Sequence, residues 1–250
     1  MSSPGSGGDL ELFKKQLGQL AEYLSERQLS SATIPYRGKP SWPAGSSRDV
    51  ILSMDTAVEL GSPKVESVSS LIVCEGGQVL GDDTITVIGD DICSAKERLV
   101  PFGKIVLVSC VDTVEENLYE RYRKLETIRF AVALKGYMIK AASQYKREWS
   151  RVSREAVENR FSFEILGSAL IAAYRELDYV RSAAVLFVTR SAEDVRGLRP
   201  IADGTARIVG AMNKMMEELE SDCDECEYQA ICDEMPELQS MKKRAHGRAK

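Results

Sequence analysis

Leu10, Phe13, Leu17, Leu20 and Leu24 recur at spacings of three and four. That period places them on one stripe of a helix, predicted over Asp9 to Gln28 with Asp9 as its N-cap. The stripe must pack on the protein's own core or on a partner subunit. Ahead of it, residues 1–8 form a Gly/Ser-rich lead. Behind it, residues 30–48 hold Pro35, Pro40, Pro43 and Gly45, which predicts an extended connection with Trp42 as a plug against the body of the fold.

From Asp49 to Cys110 the period changes. Val50–Leu52, Val65–Val73, Ile85–Ile88 and Ile105–Val108 are short β-branched runs bounded by Gly, Pro and Asp, and each predicts a strand. Helical spacing returns over Val114 to Met138. Tyr145 to Ser153 alternates like a strand, and Ser153 is placed to cap a short helix over Arg154 to Arg160. A helix over Phe163 to Leu177 leads to Ala183–Thr189, an unbroken apolar run with the signature of a buried strand. Ser191 opens another helical stretch, and a last helix, Ala206 to Glu220, leads into a cysteine-rich segment. Met241 to Lys250 is a basic tail.

Strands alternating with helices predict an α/β fold: a mixed sheet flanked by helices over residues 49–200. Residues 1–48 form the lead, helix and linker. Residues 201–250 carry the final helix, the Cys-rich metal-binding segment and the tail.

Composition narrows the function. A net charge of −5 argues against a nucleic-acid coat. No run reaches the ~20 apolar residues of a membrane span. The first eight residues lack the basic and apolar regions of a signal peptide, so a cytoplasmic location is expected. His246 is the single histidine, which argues against zinc hydrolase and Ser–His or Cys–His chemistry.

Six cysteines in 250 residues are too sparse for a disulfide scaffold. Three of them, Cys223, Cys226 and Cys232, are spaced C-x2-C-x5-C among six acidic residues. Two thiolates at C-x2-C can chelate one centre, and the third can close the loop. A 4Fe–4S cluster or a structural zinc suits this set, and each usually needs a fourth ligand. Cys74, Cys93, Cys110, a partner or an exogenous ligand can supply it. Reduced cysteines that bind nothing, or a local disulfide, are the remaining alternative.

Arg121, Arg123, Arg147 and Arg151, with Arg129 and Arg154, have the forked donors that suit phosphate recognition. The alternative is a solvated helix face, in which they pair with Glu115, Glu116, Glu120, Glu126, Glu148 and Glu155.

A series of colinear segments resembles one family. Val58–Lys64 is similar to a "VELGGPK" strand and turn. Ile85–Asp91 resembles "VTVIGPD", Pro101–Ile105 resembles "PFGMI", and Lys146–Val157 resembles "QRDDVWIRISKDAV". Val185–Thr189 with Glu193–Val195 is similar to "VQVTIITDPAKV". These belong to acetyl-CoA synthase, the CdhC-type β subunit of the CO dehydrogenase/acetyl-CoA synthase complex. The resemblance covers residues 55–200 and implies a central α/β domain associated with coenzyme A binding, which makes Arg121, Arg123, Arg147 and Arg151 candidate CoA contacts. It also implies an iron–sulfur site held by the following cysteines. In the family those begin C-x2-C-x8-C, and a later Cys-Gly-Cys holds a distal nickel. Here the third cysteine comes after five residues and no Cys-Gly-Cys follows, so no nickel is expected and acetyl-CoA synthesis is in doubt.

The expectation is therefore an iron–sulfur accessory, electron-transfer or docking subunit of anaerobic C1 or acyl-CoA metabolism, working with a protein partner or as a homo-oligomer. The alternatives are an enzyme binding CO, an acyl group or a CoA-type ligand at an open iron site, and a structural zinc scaffold.

Overall fold

The computed structural model describes residues 11–26, 31–45, 55–74, 79–111, 113, 115–143, 146–217, 227–235 and 237–241. Two sheets carry the fold rather than the single one expected. The larger has five strands: β1 (Ser31–Pro35), β3 (Ser67–Cys74), β4 (Thr84–Ile88), β6 (Phe102–Cys110) and β9 (Val180–Val188), in the order β1-β4-β9-β6-β3. β4 runs parallel to β9 and β3 parallel to β6, whereas β6 and β9 are antiparallel. β3 and β6 are buried along their whole length, and their inner stretches Leu71–Val73 and Ile105–Val108 are continuous apolar runs. The expected strand at Val50–Leu52 lies outside the described residues.

Helices cover both faces of this sheet. Val87 and Phe187 share one face with Ile85, and Phe187 stacks on Phe163 of α4 (Phe163–Arg175) at 4.5 Å. On the other face, Gly103 and Val188 lie against Leu198, between α5 (Ala192–Gly197) and α6 (Arg199–Glu217). α1 (Lys14–Ser25) packs beside α6, with its Tyr23 hydroxyl donating to the Asp194 carbonyl at 3.0 Å. Leu12, Phe13 and Leu20 are essentially inaccessible, so the N-terminal stripe covers the protein's own core.

The smaller sheet has the order β5-β2-β8-β7, from β2 (Thr56–Leu60), β5 (Leu99–Val100), β7 (Tyr137–Ser143) and β8 (Arg147–Ser153). β7 corrects the long helix expected over Val114 to Met138. α2 (Glu115–Ala131) stops seven residues short of that limit. Gly136 then takes φ +78°, where a Cβ would lie 2.6 Å from Ala156 and Ser153, and the chain turns into a strand. Ser153 caps α3 (Arg154–Glu158) as its sequence position indicates, accepting from the Ala156 amide. Trp42 also plugs the body: it donates to the Lys135 carbonyl at 3.0 Å and meets Phe161 edge-on.

The two sheets meet at a buried charge pair. Lys104 of β6 and Glu148 of β8 form an ion pair with side chains 2% and 0% exposed. Ser150 donates to Glu148 at 3.3 Å, and the Tyr137 hydroxyl lies 3.0 Å from Ser150. Burial lowers the Lys104 pKa, and the adjacent Glu148 carboxylate opposes that fall. Glu148 is therefore a core residue on a strand, not part of a solvated face.

Candidate functional site

The described chain comes together at the carboxyl ends of β4 and β9. Both strands stop at the same level, and the amides of Thr189 and Arg190 donate to the Ile88 carbonyl at 2.8 and 3.2 Å. Gly89, at φ +113°, permits this approach, since a Cβ there would collide with the Arg190 backbone. Gly89→Ala is expected to lower stability by more than about 1 kcal/mol, read from the thermal midpoint, because it adds both strain and a backbone clash. β3 and β6 begin at this end, so the segments leading into them wall the same space. In open α/β sheets, ligands lie outside the carboxyl ends of the strands.

The space is a cleft of about 800 Å³. Six cations line it: Lys64, Lys96, Arg147, Arg190, Arg196 and Arg199. Only Glu66, Asp90 and Glu97 oppose them, which leaves an excess of positive charge in an otherwise acidic protein. Arg190 is held by a fork on Asp194 at 2.6 and 2.7 Å, and the Ser191 hydroxyl donates to the same carboxylate. Glu66 accepts from Arg199 at 2.7 Å and from Arg196 at 3.2 and 3.3 Å. Burial would raise the Glu66 pKa, but the two guanidinium groups hold it below the usual carboxylate value. Arg147 donates to the Val65 carbonyl at 3.3 Å. Among the described residues, Lys64 and Lys96 have no carboxylate partner.

Of the four arginines singled out by sequence, only Arg147 lines this cleft. Arg151 sits 5.1 Å from the Trp149 ring centroid and 3.6 Å from Glu59. Arg121 lies at the opposite end of the large sheet, donating to the Val111 carbonyl and the Thr113 hydroxyl and stacking over Tyr179. Arg123 is exposed on α2. Sequence reasoning missed Lys64, Lys96, Arg190, Arg196 and Arg199. A signal was present in Val188-Thr189-Arg190-Ser191, a strand running straight into a capped helix.

Cys223 and Cys226 lie outside the described residues. Cys232 is buried on α7 (Gln229–Glu234). Cys74 and Cys110 end β3 and β6 at the end of the sheet away from the cleft, roughly 26 Å along β6 at about 3.3 Å per residue. Burial pushes the Cys110 thiol up to about 12, against the pull of Arg121. Cys93 is half-buried in a 3-10 turn, Ile92–Ser94. Among the described residues no three His, Cys, Asp or Glu side chains group as a metal site. Brief alkylation of the native protein at pH 8 is expected to modify Cys93 well before Cys110, read by peptide mass spectrometry.

The fold and the cleft define an α/β protein with a basic crevice at its strand ends. The profile of the CO dehydrogenase/acetyl-CoA synthase complex beta subunit, CdhC, matches residues 47–195, and the chain belongs to that family. The match runs from just before β2 into α5, and includes most of the cleft. No curated protein gives a significant match. Among the described residues, no helix is long and apolar enough to cross a membrane.

Proposed function

We propose that this CdhC-family chain is an accessory protein of acyl-CoA or C1 metabolism that binds a CoA-type ligand, with its phosphates in the basic cleft. The observation that carries this reading is the cluster of cations at the carboxyl ends of β4 and β9, two of them lysines without a carboxylate partner among the described residues. A cleft of about 800 Å³ lies within the range of small-molecule sites. Arginine forks and lysine ammonium groups match phosphate and pyrophosphate oxygens. The family's place in a multi-subunit complex supports a protein partner as well.

The test is a thermal shift with coenzyme A and with pantetheine, which shares the thiol arm but has no phosphate. Stabilisation by a ligand at a hundred times its dissociation constant amounts to about 2.7 kcal/mol. Coenzyme A is expected to raise the midpoint and pantetheine to leave it unchanged. Equal shifts would place the recognition on the thiol arm and sink the reading.

The second element of the proposal is a 4Fe–4S cluster held by Cys223, Cys226 and Cys232, with zinc as the alternative. It rests on the C-x2-C-x5-C spacing, which lies beyond the family-matched residues 47–195. A cluster there supplies one-electron chemistry, and the surrounding carboxylates shift its potential downward. Anaerobically purified protein is expected to contain about four irons and four acid-labile sulfides per chain. Stoichiometric zinc without visible colour would replace the cluster by a structural metal.

A further inference from the structure

Glu66 is the one cleft carboxylate that engages two arginines from the opposite wall. It lies in the segment leading into β3, whereas Arg196 sits near the end of α5 and Arg199 opens α6. Its side chain is 16% exposed and faces the cleft, and the arginines are 57% and 53% exposed. A single carboxylate between two guanidinium groups leaves one positive charge unbalanced. The two guanidiniums together present a converging set of N–H donors, the arrangement that a phosphate with three terminal oxygens satisfies better than a carboxylate with two.

We infer that Glu66 is a built-in competitor: its carboxylate occupies the Arg196–Arg199 fork in the free protein, and a ligand phosphate displaces it. The inference rests on the anionic-ligand reading of the cleft. Three features favour it over a plain structural tie. Arg196 and Arg199 are more than half exposed, so water reaches their side of the pair and weakens it. Lys64, Lys96 and Arg147 line the same space and draw a polyanion to the point where the exchange occurs. The Arg190 fork differs, because Asp194 lies only four residues further along the chain, at the start of α5, and is buried, with a further hydrogen bond from Ser191. Asp194 is thus fixed within its own element, while Glu66 reaches its arginines from another. Arg196 and Arg199 both lie just beyond the family-matched segment, at the end of α5 and the start of α6. The consequence for specificity is a threshold. Ligands carrying a single weak anion do not displace Glu66, and those with a phosphate or pyrophosphate do.

Calorimetric titration of the full chain with coenzyme A and with inorganic pyrophosphate tests this. Glu66→Gln keeps the size and a hydrogen-bonding oxygen but removes the competing charge, and Glu66→Ala removes both. Thermal midpoints of the two variants check that the fold is retained. Both variants are expected to bind pyrophosphate about tenfold tighter than the unmodified protein, since a like charge beside the ligand is gone. Acetate is expected to gain a measurable affinity only in the variants. If the unmodified protein binds and the variants bind equally or more weakly, Glu66 positions the arginines and the competitor role is overturned while the cleft reading stands. If neither the unmodified protein nor the variants bind coenzyme A or pyrophosphate, the cleft reading fails and this inference fails with it.

Discussion

Glu148→Leu, made with Lys104 left in place, is expected to destabilise the fold by about 3–5 kcal/mol, because an ammonium group is then stranded in the core without its partner. For a chain of this size that lowers the thermal midpoint by roughly 10 °C. Lys104 and Glu148 are 2% and 0% exposed, and their pair bridges the large sheet to the small one. The double variant Lys104→Met/Glu148→Leu replaces both charges with apolar groups of similar volume, and it is expected to recover most of the loss. Chemical denaturation of the two variants measures the difference. Equal losses in the single and double variants would show that local packing, not the uncompensated charge, sets the cost. Tyr137 and Ser150 belong to the same network, so removing Glu148 also takes an acceptor from Ser150.

The second large effect is on binding. Lys64→Glu/Lys96→Glu reverses two charges that have no carboxylate partner among the described residues. The cleft then loses its positive excess without losing an internal ion pair. The affinity for coenzyme A is expected to fall more than about a hundredfold, at ~1.4 kcal/mol per factor of ten and with several kcal/mol from two like-charge juxtapositions. Stability is expected to stay within about 0.5 kcal/mol, as for most surface substitutions. Equilibrium dialysis gives the first quantity and thermal denaturation the second. An unchanged affinity would remove the two lysines from ligand recognition.

How much of this was readable in the chain depends on the range of the interactions. β3, β4, β6 and β9 were legible because each is an apolar run with its own boundaries, and the helices after Ser153 and Ser191 were legible because a capping hydroxyl acts within three residues. β7 was hidden because Val132, Leu134 and Met138 extend the spacing of α2 past its true end at Ala131, and the left-handed turn at Gly136 that leads into the strand has no apolar mark. The division into two sheets was hidden because pairing partners lie far apart in sequence, as with Glu59 and Arg151. Glu148 was read as one of the acids on a solvated face, since a buried pair with Lys104, 44 residues away, leaves no local mark. The cleft had the same defect: its cations run from Lys64 to Arg199 and meet only where β4 and β9 end. Arg147 was found for its chemistry, and its neighbours were missed for want of topology. The resemblance to the CdhC family survived this, because it rests on the order of short segments and not on their contacts.

The most direct measurement on the central claim is hydrogen exchange by mass spectrometry, with and without saturating coenzyme A. The cleft reading expects slowed exchange in the segments around Lys64 to Glu66, Ala95 to Leu99 and Arg190 to Arg199, which wall the space at the ends of β4 and β9. Protection confined instead to the far end of the large sheet, around Val111, Arg121 and Tyr179, would contradict it, as would coenzyme A leaving exchange unchanged throughout.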